Sequence, residues 1–393
     1  MKNLLTGLIL LLLSHTLFGQ QDLTLFQFSG IPQNNLVNPA QMPDDKFVIG
    51  LPLLSSVNSV YNNRAFTFNE GLINNDGTLI IDPELLVNSL DDYNFLHTRF
   101  HDQWFLLGYR VKNHYFKIGI SEKLNVDFSF PKALFDFVLR GNAHYLGERV
   151  SIDKLALNAT HYRELSLGYA NNISEHLQLG GHLNILFGLA NINTESSNIG
   201  IYTDPETYDI TVDGNIEINT SGIDAIQGET KDYLLNGKNM GIGIDLGAVY
   251  KPNDQWEFSM SLIDVGVIQW KSNLTTYTNN SKPFTLSGLD IKDFIGNDNL
   301  DGDSLINDIT DSLATIFSLE EVEKKYSTTL TPKWYAGSKY SFNSKHHLYG
   351  TVMLQFYPEK IRSGLSIGYE LNLNKNLGFT VNYSLFSSSL SNV

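Results

Sequence analysis

The stretch MGIGIDLGAVYK, residues 240–251, alternates almost without a break. Met240, Ile242, Ile244, Leu246, Ala248 and Tyr250 fall on one side. Gly241, Gly243, Asp245, Gly247 and Lys251 fall on the other, with Val249. A period of two places successive side chains on opposite faces, so this is a strand. The turn PND follows. Then Trp256, Phe258, Met260 and Leu262 alternate with Glu257, Ser259 and Ser261, which completes a hairpin.

The pattern recurs on both sides of this hairpin. Leu165, Leu167 and Tyr169 alternate with Glu164, Ser166 and Gly168. After NNISEH come Leu177, Leu179, Leu183, Ile185 and Phe187, opposed by Gln178, Gly180, His182, Asn184 and Gly188. Nearer the C-terminus, Leu348, Val352, Leu354 and Phe356 form one such face. Leu365, Ile367, Tyr369 and Leu371 form the next, and Leu377, Phe379, Val381, Tyr383 and Leu385 another. About twelve strand candidates run from Phe47 to Phe386.

Repeated alternating strands fit two architectures. A soluble sandwich turns its apolar face into a core, whereas a transmembrane barrel turns it out to lipid. Three features favour the barrel. The second face carries glycine and small polar residues, with charges at Lys117, Asp245, Glu257, Lys339 and Glu370. The strands have the length of about ten residues that a tilted membrane strand needs. Aromatic residues stand near strand ends, where a barrel places its interfacial girdles: Trp104, Tyr250, Trp256, Trp270, Trp334, Tyr340 and Tyr383. Closure of the sheet also removes the unpaired edges that lipid penalises. The expected fold is all-β, a transmembrane antiparallel barrel of about twelve to fourteen strands with short helical insertions.

Short turns such as NSKH (343–346) and LNKN (373–376) belong on the periplasmic side. Two long stretches interrupt the strands. Residues 191–237 read as a polar hairpin. Residues 272–332 begin as loop and become helical, with Leu305, Ile309, Leu313, Ile316 and Phe317 at helical spacing and a capping box at Ser318–Glu321. The piece PKALFDFVLRGN reads as a helix that starts with Pro131 and stops at Gly141.

Composition narrows the function. The net charge of −15 argues against a nucleic-acid partner. The chain has no cysteine, so it forms no disulfide and carries no lipid on a cysteine. Lys2, the apolar run Leu4–Leu13 and a cleavage region near Gly19 to Gln21 read as a secretory signal over residues 1–20. Residues 21–45 then form an N-terminal periplasmic or plug segment, and 46–393 the barrel. GNDNLDGDSLIND (296–308) has the spacing of a calcium loop, but it opens on Asn297 and closes on the short carboxylate of Asp308, so it reads as a solvated acidic loop. His97 and His101 are four residues apart, lack a third ligand, and read as surface histidines near a strand start. No nucleophile elbow, phosphate loop or H-E-x-x-H is read in the chain. No catalytic residue, metal or cofactor is expected. The inward charges admit two roles, lining a substrate path or bracing the lumen by mutual pairing.

One motif precedes the first strand. In PQNNLVNPAQMP (32–43), Asn38 stands before a proline and is biased to extended backbone. Its amide can cap, and Pro39 suits a first helical position, so Asn38-Pro39-Ala40 makes a rigid corner or a single helical turn.

PQNNLVNPAQMPDDKFVIGLPLLSS, directly after a signal peptide, resembles the start of an uncharacterised Bacteroidota family of outer-membrane barrels. The resemblance continues through PKALFDFVLRGN, ELSLGYANNISEHLQLGGHLNILFGLANINT, SLIDVGVIQW and YSTTLTPKWYAGSKY. Asn38-Pro39-Ala40 and LIDVGVIQW also resemble features of the wider FadL-like group, which includes hydrophobic-compound transporters and the PorV-type barrel of type IX secretion. PorP/SprF-type barrels of secretion and gliding carry a comparable Asn-Pro-Ala. The resemblance implies an N-terminal segment tucked into or under the barrel, with Asn38-Pro39-Ala40 as its corner. Gln41 stands where many relatives carry glycine.

Such barrels usually end on a strand closed by an aromatic residue, whereas this chain stops at SSSLSNV (387–393). A gap or strained closure between first and last strands is therefore expected. The expected function is that of a non-enzymatic outer-membrane accessory, docking secretion, gliding or surface-protein machinery through the loops at 191–237 and 272–332. The alternative is a FadL-like transporter of a small hydrophobic compound. Outer-membrane lipid is the expected surrounding in both.

Overall fold

The computed structural model describes residues 21–28, 31–52, 55–63, 72–75, 78–223, 237–279, 284–286, 319–357, 361–374 and 377–386. The signal region, the acidic loop at 296–308 and the helical pattern at 305–317 lie outside them.

The described chain starts with a short helix, α1 (Gln21–Gln27), and a 3-10 turn at Pro32–Leu36. Strands β1 (Phe47–Gly50) and β2 (Ser56–Asn63) follow, then the hairpin β3 (Leu72–Asn75) and β4 (Thr78–Ile81) and helix α2 (Pro83–Ser89). Next come β5 (Tyr93–Val111), β6 (His114–Pro131), helix α3 (Lys132–Arg140) and β7 (Arg149–Ser151). Strands β8 (Ala156–Asn172), β9 (Leu177–Thr203), β10 (Ile210–Ser221), β11 (Asn239–Tyr250) and β12 (Trp256–Trp270) are longer. The rest are β13 (Leu274–Thr278), β14 (Phe284–Leu286), β15 (Glu320–Val322), β16 (Tyr326–Thr329), β17 (Lys333–Ser341), β18 (His346–Phe356), β19 (Ile361–Asn374) and β20 (Leu377–Phe386).

All but β3 and β4 belong to one sheet of eighteen strands. Its path is a meander. Strands β1 and β2 both pair with β5 and form one broken stave. The ladder then runs β5, β6, β8, β9, β11, β12. A second broken stave, β16 with β17, lies against β12 and leads to β18, β19 and β20. These residues thus account for eleven positions around the wall. Among them, no ladder joins β20 to β1 or β2, which is where the sequence places the gap.

The faces follow the alternation. On β11, Met240, Ile242, Ile244 and Leu246 point outward and are exposed, while Asp245 between them is 6% exposed. Leu183, Phe258, Val352, Ile367 and Val381 continue the outward apolar band around the wall. Such a contiguous apolar band is what a bilayer covers. The chain is an outer-membrane β-barrel whose short turns lie on one rim and whose long connections lie on the other.

Above the long-connection rim, β9 runs on past the wall and pairs with β10, and β10 pairs with β13 and β14. This bears out the hairpin expected from residue 191. Val150, Ile152, Ile199, Ile201, Ile210, Val212 and Ile216 form its buried core, covered by Ala133, Leu134 and Phe137 of α3. Helix α3 has Pro131 at its N-cap and ends at Gly141, whose φ of 79° is open to glycine. Glu320–Val322 is a strand rather than the start of a capped helix, because its edge pairs with β13.

One local feature alters the facing of half a strand. Between Ile244 and Leu246 the register with β12 shifts, so Ile263 and Asp264 together oppose Asp245. This is a β-bulge, and Asp264 adopts φ 58° there. Before it, Trp256, Phe258 and Met260 face out; after it, Val265 does. Trp270 therefore turns inward and is fully buried, packed with Tyr162, Leu186, Ile268 and Leu330. It is not a girdle residue: the extra residue inverts the parity on which that assignment rested. Tyr250, Trp256 and Tyr383 are exposed on the outer face, and Trp256 packs on Tyr340 with ring centroids 4.9 Å apart.

Candidate functional site: the segment inside the barrel and its charged chamber

Residues 21–28 and 31–45 lie on the concave face of the wall. Helix α1 rests on β17, β18 and β19. Phe26 stacks on Tyr335 with centroids 5.2 Å apart, and Gln27 Nε2 donates to the Gly350 carbonyl at 3.0 Å. Thr24 Oγ1 accepts from Asn382 Nδ2 at 2.7 Å. An apolar face on so short a helix does not hold it in water; docking does.

The chain then turns at Asn38-Pro39-Ala40. Asn38 and Ala40 are fully buried. The Asn38 side chain accepts from the Ala40 amide at 3.1 Å, an Asx turn, and donates to the Ala248 carbonyl at 3.4 Å. The 3-10 turn precedes this corner, so Asn38 does not start a helix. Asn35 ties the corner down by donating to the carbonyls of Pro39 (3.0 Å) and Gln41 (2.9 Å). The wall is cut away to receive it. A β-carbon on Gly180 would overlap the Pro39 carbonyl, and one on Gly247 would overlap the Asn38 side chain. Sequence reasoning placed both glycines on the polar face but did not connect them to the corner. Nothing local marks a glycine as a point of close approach.

Above the corner lies a charged chamber of about 70 Å³. Lys117, Lys123, Glu164, His182, Asp245, Asp264 and Lys333 all line it. The bulge sets its centre. Asp245 Oδ1 accepts from the Asp264 backbone amide at 2.8 Å, and Asp245 Oδ2 from Asn184 Nδ2 at 2.9 Å. His182 Nδ1 lies 3.1 Å from Asp245 Oδ2, and its Nε2 lies 2.9 Å from Asn35 Oδ1, so this ring links the wall to the inner segment. The Asp264 carboxylate holds Lys333 at 3.0 Å and Lys123 at 3.3 Å, and Lys123 also holds Glu164 at 2.8 Å. Ser261 Oγ donates to the Val37 carbonyl at 2.6 Å. Charges withdrawn from water persist only when paired in this way.

The five charged residues singled out from the sequence have different surroundings. Lys117 and Asp245 meet in the chamber. Lys339 and Glu370 form a separate buried pair at 2.7 Å on the wall behind α1. Glu257 pairs with Lys251 at 3.1 Å near the short-turn rim. Of their partners, Glu164 stood on the expected polar face, whereas Lys123, Asp264 and Lys333 were not foreseen. Asp264 sits on the wrong parity for an inward residue until the bulge is known.

Two further readings change. His97 is not a surface residue: it is 5% exposed, with Nδ1 2.7 Å from Asp127 Oδ1. His97 and His101 share the inward face because four residues along a strand is an even step. Gly364-Leu365-Ser366-Ile367-Gly368 does carry the spacing of a nucleophile elbow. It lies within the β19 ladder, however, with Ser366 Oγ accepting from Ser384 at 3.0 Å, and makes no strand-to-helix turn.

Residues 39–393 match the model of a family of unknown function, DUF5723. No curated protein matches the sequence. Among solved structures, the chain is similar to a TodX deltaS2S3 mutant described as a monoaromatic hydrocarbon channel. The identity is 11%, the TM-score 0.41, and the match covers 92% of this chain and 80% of that one. It is also similar to the toluene transporter TbuX of Ralstonia pickettii, at 9% identity and TM-score 0.37, covering 88% and 78%. A FadL homologue of Pseudomonas aeruginosa matches at 12% identity and TM-score 0.31, covering 91% and 85%. Likeness at these scores says nothing about what this chain carries.

Proposed function

The chain belongs to this family of unknown function, and from its geometry we propose a gated outer-membrane barrel that passes a small hydrophobic compound with a polar end. Residues 21–45 are the gate. The observation that carries this reading is how the segment is held. Its backbone hydrogen bonds are internal, as from Asn38 to Asn34 and from Gln41 to Asn38. Among the described residues, none joins its backbone to the backbone of the wall before Lys46. It is fastened by side chains and by fit against glycines, so it can leave without breaking the sheet.

The cargo class follows from the two zones above the gate. Tyr162 and Leu330, which line the chamber, belong to an apolar cluster completed by the buried Leu186, Ile268 and Trp270. The charged groups line the same chamber. A wholly apolar molecule gains nothing from the second zone, whereas one with a polar end is matched to both. The accessory reading has less support. Where described, the hairpin from residue 191 has its apolar face buried under α3, and its strands are already paired with β7, β13 and β14. No broad apolar surface is left there for a partner protein.

The test is uptake into proteoliposomes of toluene, benzyl alcohol, octanoate and glucose, with the parent chain and Gly180→Ala. The added methyl displaces the Pro39 corner. Faster entry of the amphipathic solutes than of glucose is expected. Equal rates for all solutes in both proteins would remove the transport reading.

A further inference from the structure

We propose that the chamber contains a binding site for one small monovalent anion, formed by Lys117, Gln103 and the space over Gly119. Lys117 is 4% exposed and lines the cavity. Unlike Lys123 and Lys333, it makes no hydrogen bond or ion pair with the described residues. Every chamber carboxylate is already engaged: Glu164 by Lys123, Asp264 by Lys123 and Lys333, Asp245 by His182, Asn184 and a backbone amide. The ammonium of Lys117 therefore faces the cavity as a buried cation without a direct counter-charge. That arrangement is costly unless something completes it.

A second donor points the same way. The Gln103 side chain is 1% exposed. Its carbonyl oxygen accepts from Ser55 Oγ at 3.1 Å, and its amide nitrogen has no partner among the described residues. The two donors flank Gly119. A β-carbon there would stand 3.6 Å from Gln103 Nε2, 3.7 Å from the Cε of Lys117 and 3.7 Å from the Phe105 carbonyl oxygen. Those are ordinary contact distances, so the position has room for a methyl-sized group between the lysine side chain, the amide N–H and one backbone carbonyl. The two donors outnumber the one backbone carbonyl there, and the lysine supplies the positive charge that an anion pairs with.

Size limits which anion. A cavity of about 70 Å³ holds roughly two waters at about 30 Å³ each, whereas the engineered apolar cavity that takes benzene is about 150 Å³. A halide or a carboxylate as small as formate fits. Leu25, Leu36 and Val37 of the N-terminal segment line the same cavity, so the site is enclosed while that segment is seated. Because the bound anion favours the folded, closed state, it raises thermal stability in a saturable way.

The experiment uses the full chain in uncharged detergent, with gluconate holding ionic strength constant. The unfolding midpoint is followed as formate, and separately chloride, replaces gluconate. A saturable rise is expected for the parent. For Lys117→Gln, half-saturation should move by roughly ten- to a hundredfold, the worth of a hydrogen bond to a charged group. Gly119→Ala keeps the lysine, fills the cradle, and should weaken binding likewise; it decides the matter if Lys117→Gln does not fold. Bromide-soaked crystals should show anomalous density beside Lys117 in the parent and none in Lys117→Gln. A response to formate alone assigns a planar carboxylate, and a response to both assigns a spherical anion as well. Absence of a saturable rise, or equal responses in parent and Gly119→Ala, would overturn the site.

Discussion

Lys339 and Glu370 show what one buried charge costs at the scale of a single residue. Their side chains are 7% and 5% exposed and 2.7 Å apart. Removing Lys339 leaves the buried Glu370 carboxylate with the Asn372 amide, at 2.9 Å, in place of its ion pair. Lys339→Met alone should therefore destabilise the barrel by about 3–5 kcal/mol, and adding Glu370→Leu should recover most of that. Equilibrium unfolding in detergent measures both; equal loss in single and double variants would show that the pair is not coupled. The two residues were legible individually as polar-face charges. Their pairing was not, because it depends on how β17, β18 and β19 align across the wall. His97 was misread for a related reason: histidine is at home on a surface or in a core, and only the position of Asp127 decided between them.

Elements were more legible than contacts. Helix α3 stops where Gly141 stands, and the reason is local. At φ 79° a side chain is strained, and no atom lies within 4 Å of where its β-carbon would go. Gly141→Ala should thus cost about 1–2 kcal/mol through backbone conformation alone. Hydrogen exchange should quicken in α3 and the adjoining turn while β9 and β11 stay protected. Strand β12 marks where element-level reading fails. Its alternation is correct on either side of Ile263-Asp264, but the bulge inverts it between them. The bulge is itself held by Asp245, from the neighbouring strand, accepting the Asp264 amide. No pattern within β12 contains that partner.

The whole molecule is a wall that its sequence describes well and an interior that it does not. If residues 21–45 are a gate, a chain lacking them should still insert as a barrel, since no sheet hydrogen bond is lost with them. Its single-channel conductance in a planar bilayer should rise well above that of the parent. Unchanged conductance would show that the wall itself closes the lumen, and a chain that no longer inserts would show that the segment is structural.

The sequence alone determined the strands, their lipid-facing sides and the presence of an inward polar face, because side-chain direction along a strand is a local property with a period of two. The tertiary structure alone decided which polar groups meet and which glycines make room for Asn38-Pro39-Ala40. It also decided which way Trp270 points and which lysine is left facing open space. Those outcomes depend on bringing β6, β9, β11, β12 and the N-terminal segment to one place. Separations of more than two hundred residues, as between Asn38 and Ala248, are closed only by the curvature of the wall.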